Sequence, residues 1–283
     1  MSRKAISAAL IYRRLYDGVR DMNVVLEPVV VAALEATRNQ ATDPGPGCFV
    51  LESILENAKI AREDRVPLCQ DTGFVLVFVE QGFDCVLEEP LEPIISRAIH
   101  DGYRDGFFRR SVVADPLENR KNTGTNLPPA IYYDFVPGDG LKISCLSKGF
   151  GSENYSQIFM LRPTQGPEDV VTAVVSVMQR AGGNCCPPVI LGVGIGGTMD
   201  WAAKLSKKAL LRDLHDHHPN PYYRTLEQSI LDAVNALGIG PGGFGGAHTA
   251  LGVHIETYPT HMAGLPVAVS VNCWAERKVV LQW

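Results

Sequence analysis

The sequence has no surplus of positive charge: 26 Lys and Arg stand against 31 Asp and Glu, for a formal net charge of −5. That is the wrong sign for a chain whose affinity comes from neutralising phosphates, so nucleic acid is not an expected partner. No apolar run is long enough to span a bilayer, which excludes a helical membrane protein. No signal peptide is expected, because Arg13, Arg14 and Asp17 interrupt the amino-terminal segment before an apolar stretch can develop. There is no internal repeat, charge block or linker to mark a domain boundary, so one folded domain over residues 1–283 is expected, in one or two lobes. Seven cysteines in a chain of this size are not needed as staples, since 283 residues at 46% hydrophobic content can bury a core unaided. A cytoplasmic, reducing setting is expected, in which thiols stay available for metal or catalytic use.

Apolar periodicity predicts helices over residues 6–19, 26–36 and 49–61, so the first third is mainly helical. Residues 74–80 (FVLVFVE) read as a strand, 91–110 as a helix and 115–129 as a long polar loop. Residues 130–135 and 141–147 flank Val136-Pro137-Gly138-Asp139-Gly140, which suggests a hairpin. Strands are expected at 158–161, 189–193, 250–255 and 267–271, with helices at 168–180, 199–214 and 224–237. The pattern predicts an α+β fold with a helical N-terminal third, then mixed strands and helices carrying a largely antiparallel sheet.

Several sets of residues invite chemistry. Gly192, Gly194 and Gly197 match G-x-G-x-x-G between a strand and a helix, a nicotinamide-type fingerprint, but no strand ending in an acidic residue follows about 20 residues on. Close helix packing, or anion binding at the helix start, serves the same glycines. Cys69, Cys186 and Cys273 all lie at element ends, while Cys48, Cys85 and Cys145 sit in apolar or alternating segments and read as small buried hydrophobes. Their separations match no zinc-ribbon or ferredoxin pattern. Arg109 and Arg110 are expected at a helix end, where a guanidinium fork suits a carboxylate or simply the helix dipole. Asp71 reads as a proton-transfer group or a turn former, His261 as functional or as a surface histidine, and the glycine-rich loop 238–246 as a close-approach or flexible segment.

Taken in order, Pro67-Leu68-Cys69-Gln70-Asp71-Thr72-Gly73, Arg109 with Ser111-Val112-Val113-Ala114-Asp115-Pro116, Arg120-Lys121-Asn122-Thr123-Gly124, Gly151-Ser152-Glu153-Asn154, Cys186-Pro187-Pro188, and Leu265-Pro266-Val267-Ala268-Val269 with Cys273-Trp274-Ala275 resemble class I, iron-sulfur fumarate hydratases. The protein is more closely similar to the separate alpha subunits of two-subunit fumarases and L-tartrate dehydratases. The resemblance implies a 4Fe-4S cluster on Cys69, Cys186 and Cys273, with Cys185 as the neighbouring alternative to Cys186. It implies Gln70, Arg109 and Gly151 as substrate-binding positions and Asp71 and His261 as proton-transfer positions. It departs from the family at Phe150, where a third glycine is usual. The implied activity is reversible dehydration of a small 2-hydroxy dicarboxylate, L-malate to fumarate first (a tricarboxylic acid cycle reaction) and L-tartrate to oxaloacetate as the alternative. A beta subunit is the implied partner, in an α2β2 assembly or with an alpha homodimer, because the family's second domain has no counterpart here.

Overall fold

β1, Phe74–Gly82, is apolar on both faces and almost wholly buried, so it needs neighbours on both edges. In the computed structural model, which describes residues 5–40 and 45–283, those neighbours are β2 (Ala130–Val136), which pairs with it in parallel, and β3 (Leu141–Lys148), which pairs antiparallel. The expected β2–β3 hairpin is therefore not formed: β1 lies between the two strands. Its end captures the connecting loop, with Gly82, Phe83 and Asp84 N–H donating to Gly140, Val136 and Gly138 C=O at 2.9 Å each. A further strand, β8 (Lys278–Gln282), which periodicity did not predict, pairs antiparallel with β3 and completes the order β2-β1-β3-β8.

The protein divides into two compact units, the first comprising Met1–Leu26, Ala58–Gly149 and Arg277–Trp283, the second Glu27–Asn57 and Phe150–Glu276. In the first, α1 (Ala8–Val24) and α4 (Leu91–Asp105) lay Ile11, Leu15, Val19, Ile95 and Ile99 against Val75, Val77 and Ile143 of the sheet. α4 stops five residues short of the predicted end. Gly106 follows it and Phe107 adopts a left-handed φ of 54°, so Arg109 and Arg110 belong to the segment beyond the helix and not to its last turn.

Helices α2 (Pro28–Gln40) and α3 (Pro46–Asp64) complete the helical first third. The second unit continues with α5 (Phe150–Glu153), β4 (Gln157–Leu161), α6 (Pro167–Ala181), β5 (Val189–Gly196), α7 (Met199–Ala209), α8 (Pro221–Asn235), β6 (Ala250–Tyr258) and β7 (Leu265–Asn272). Its sheet runs β4-β7-β5-β6, with β5 parallel to β6 and antiparallel to β7. The fold is α+β as expected, and pairing is largely antiparallel but not purely so: each mixed sheet holds one parallel pair beside two antiparallel ones. Along β5 the side chains alternate. Val189, Leu191, Val193 and Ile195 join the core built by α6 and α8, while Gly192 and Gly194 face α7.

Candidate active site

In the first unit the segment after α3 is tied down by its backbone. Leu68 N–H donates to Asn23 C=O at 2.9 Å, which sets Cys69 just ahead of a tight turn. Gly73 ends that turn with φ +81°, and a Cβ there would meet the Ser147 and Lys148 backbone at 2.9 Å, so only glycine fits. Asp71 Oδ1 accepts the Gly73 N–H at 3.0 Å, an Asx-type closure. Thr72 Oγ1 donates to Arg109 C=O at 2.7 Å, and the buried Tyr103 hydroxyl donates to Thr72 C=O at 2.6 Å. Asn126, fully buried, donates to Gly73 C=O at 3.2 Å and accepts the Ser111 N–H at 2.8 Å. These bonds bring Cys69, Gln70, Asp71 and Arg109 into one neighbourhood, with Gln70 and Arg109 exposed and Cys69 and Asp71 half-buried. Burial pushes the Tyr103 hydroxyl up to about 12, so it stays a proton donor throughout the ordinary pH range. Tyr103 and Asn126 were not singled out from sequence: Tyr103 continues the apolar stripe of Ile95 and Ile99, and Asn126 is one polar residue among many in a loop.

In the second unit the strand directions place three other residues at one end of the sheet. β5 begins shortly after Cys186 and β7 ends at the residue before Cys273, and Ile190 pairs with Asn272, so both cysteines belong to the same end. Gly151 belongs there too, because the neighbouring Ser156 Oγ accepts the Val271 N–H at 3.2 Å. His261 does not. It lies between β6 and β7, beside Gly197, where Thr260 Oγ1 donates to Gly197 C=O at 3.0 Å. At about 3.3 Å per residue the eight residues of β7 separate it from Cys273 by roughly 25 Å. His261 is exposed, with Nδ1 accepting the Ala263 N–H at 3.1 Å, which makes Nε2 the hydrogen-carrying, donating nitrogen of the neutral ring.

Cys185 and Cys186 have opposite surroundings. Cys185 is 0% exposed, belongs to the core of its unit and donates its thiol to Gly182 C=O at 3.3 Å. Cys186 is exposed and left-handed, with φ 56° and ψ 62°, a sparsely populated conformation for a non-glycine residue. The glycine-rich loop holds that turn: Gly242 N–H donates to Pro187 C=O at 2.8 Å, and a Cβ on Gly183 would lie 3.0 Å from Gly243 Cα. Close backbone approach, and not flexibility, accounts for those glycines. The same holds for G-x-G-x-x-G, since a Cβ on Gly192 or Gly194 would sit 2.1 Å from Ser206 or Ala202 C=O of α7. That space is filled by helix backbone, with none left for a pyrophosphate.

The donor set fits a thiolate-bound group. All seven cysteines are thiols, and Cys69, Cys186 and Cys273 are at least partly exposed at element ends. Of the three expected to be buried only Cys145 is, with its thiol pushed up to about 12; Cys48 and Cys85 are partly exposed, because Cys48 lies in the first turn of α3 and Cys85 just beyond the end of β1, though partial burial still raises the Cys85 thiol. Beside Cys273, the buried Asn272 has an Nδ2 with no hydrogen-bond partner, a donor suited to a sulfur acceptor. Among the described residues of either unit, no three His, Cys, Asp or Glu side chains are gathered as a site for a single metal ion. Among the described residues, too, no helix is long and apolar enough to cross a membrane.

A family model described as "Fumarate hydratase (Fumerase)" matches residues 13–282. The chain belongs to the fumarate hydratase family. Its fold thus carries a hydro-lyase, an enzyme that adds or removes water. Among its relatives, a Methanocaldococcus jannaschii protein, provisionally named L(+)-tartrate dehydratase subunit alpha, is 40% identical over 90% of both sequences. The L(+)-tartrate dehydratase subunit alpha of Escherichia coli is 36% identical over 83% of this chain and 78% of its own. That of Shigella boydii is 35% identical over the same shares.

Proposed function

We propose that this protein is the alpha subunit of an iron-sulfur hydro-lyase that dehydrates L-tartrate to oxaloacetate, with Cys69, Cys186 and Cys273 holding a 4Fe-4S cluster and residues 1–283 acting as one cluster-binding domain. The observation that carries the substrate is the similarity over most of the sequence to proteins named L(+)-tartrate dehydratase subunit alpha. L-malate to fumarate is the second reading, favoured by the description of the matching family. When bound, the cluster supplies an iron that no protein residue occupies, a Lewis acid for the departing hydroxyl.

The protein's own residues do the rest. Arg109, exposed and fixed through its backbone to Thr72, offers a two-pronged cation to a substrate carboxylate. Gln70 offers an amide donor to the same class of group, and Gly151 leaves the backbone open to close approach. Asp71, held by the Gly73 N–H, is the proton-transfer group on this side. His261 belongs to the opposite end of its sheet from Cys186 and Cys273, so we assign its proton transfer to the site of a second copy, which an alpha homodimer or an α2β2 assembly would provide. A beta subunit supplies the remaining base and cations; the relatives' names as subunit alpha support that partner. The seven free thiols accord with a cytoplasmic setting.

The test is anaerobic purification with iron and sulfide analysis, then assays on L-tartrate and L-malate with and without the beta subunit. About four irons and four sulfides per alpha subunit, with turnover only in the complex and faster on L-tartrate, is the expected result. Faster turnover of L-malate would install the second reading, and an iron-free, colourless protein would remove the cluster mechanism.

A further inference from the structure

Arg277 lies in the first unit, at the start of β8, and is 2% exposed. A fully buried guanidinium is expensive unless its charge is matched. Its backbone carbonyl accepts the Ser147 N–H at 2.8 Å, which fixes the peptide at this position. Its side chain reaches the turn described above, where Nη1 donates to Asp71 C=O. Nη2 and the Asp71 carboxylate converge on one point: a Cβ built on Gly149 would stand 3.0 Å from Arg277 Nη2 and 3.2 Å from Asp71 Oδ2. Both charges also act electrostatically on the buried Tyr103 hydroxyl, in opposite senses. The third nitrogen, Nε, is buried with no hydrogen-bond partner. A side chain that satisfied only structure would be better replaced by an apolar residue, or would spend all its donors on C=O groups. Instead this cation is buried beside the one carboxylate to which proton transfer has been assigned.

We propose that Arg277 is a positioning residue, which holds the backbone and the carboxylate of Asp71 in the orientation required for proton transfer. The inference rests on the reading of Asp71 as the proton-transfer group. Gly149 is part of the arrangement, because a side chain there would crowd both Arg277 Nη2 and Asp71 Oδ2. Arg277 follows Cys273 by only four residues, so one short stretch of sequence supplies both a proposed cluster ligand and the clamp on Asp71.

The test compares Arg277→Gln, Arg277→Lys, Gly149→Ala and Asp71→Asn in the assembled complex, with iron content, kcat and KM measured for each. Amide hydrogen exchange at Gly73, whose N–H caps Asp71 Oδ1, is measured beside them. Arg277→Gln should lower kcat roughly 10–100-fold with KM and iron content little changed. It should also speed Gly73 exchange, and Arg277→Lys, which keeps the charge and one donor, should recover part of the loss. Should Arg277→Gln not fold, Gly149→Ala decides, because its methyl crowds Arg277 Nη2 and Asp71 Oδ2 while both charges are kept; the same loss of kcat is expected. Full kcat in a folded Arg277→Gln or Gly149→Ala protein, or a loss that only follows iron content, overturns the proposal. If Asp71→Asn retains kcat, the reading of Asp71 itself fails and the proposal goes with it; if Asp71→Asn is inactive while Arg277→Gln is fully active, only the positioning role fails.

Discussion

Two adjacent thiols, Cys185 and Cys186, have opposite surroundings within one turn. Cys185 is packed in the core and its thiol is bonded to Gly182, whereas Cys186 is exposed and held left-handed by the loop behind it. Cys186→Ser should therefore remove the visible absorption of the cluster and the activity together while leaving the thermal midpoint of the iron-free protein almost unchanged. Cys185→Ala should keep both and lower stability by about 1 kcal/mol through the small cavity it leaves. Absorption spectra and melting curves of the two variants separate them, and loss of the cluster from Cys185→Ala alone would reverse the ligand choice. Sequence pattern set Cys69, Cys186 and Cys273 apart by their place at element ends, but its reading of Cys48, Cys85 and Cys145 as buried holds only for Cys145, since Cys48 and Cys85 are partly exposed. It left Cys185 and Cys186 one residue apart and unresolved, since only the left-handed backbone and the packed neighbour tell them apart. Arg277 and Tyr103 were invisible for a related reason: their partners are backbone groups distant in sequence, and nothing local marks them.

At the scale of elements, β5 and α7 meet backbone to backbone. Gly194→Ala would force a methyl to within 2.1 Å of Ala202 C=O, so α7 must move off the sheet. A loss of at least about 2 kcal/mol, or an insoluble protein, is expected; denaturant unfolding that matches the parent would show the helix to be loosely seated. The helices and most strands could be read from periodicity, yet the β2–β3 hairpin could not, because two strands flanking a turn-rich loop look alike whether or not a third inserts between them. β8 went unread although it is as long as β4, which was read. The seam between α1 and α4 carries a different sensitivity. Tyr12 donates to Asp101 Oδ2 at 2.8 Å, and Tyr16 to Asp105 Oδ2 at 3.0 Å. Burial alone would raise Asp101, but the hydrogen bonds from Tyr12 and His100 and the nearby Arg104 outweigh it and hold the carboxyl below its ordinary range. A depressed folded-state pKa contributes stability that is present above the unfolded value and is lost as pH falls through the folded one. Asp101→Asn should accordingly lower stability near neutrality, where that contribution is fully present, and flatten the curve below about pH 4, where the parent loses it. An unchanged acid limb in urea titrations would remove Asp101 from that account.

For the whole molecule, the position of His261 decides more than any other. If it serves a second copy's site, a Cys186→Ser subunit and a His261→Asn subunit are each inactive alone, yet their mixture contains sites with both residues intact. After co-refolding with the beta subunit, random pairing should restore about a quarter of the parental activity. No recovery would withdraw the assignment of His261 to a second copy's site. The arrangement that separates His261 from the cysteines has another side. Cys186 precedes β5 and Cys273 follows β7, strands that lie next to each other, so everything between them, α7, α8 and β6 included, is a detour that departs from and returns to a single place. Residues can therefore be added to or removed from the connection between α7 and α8 without altering the spacing of the two thiols, which leaves that surface free to diversify while the chemistry stays put.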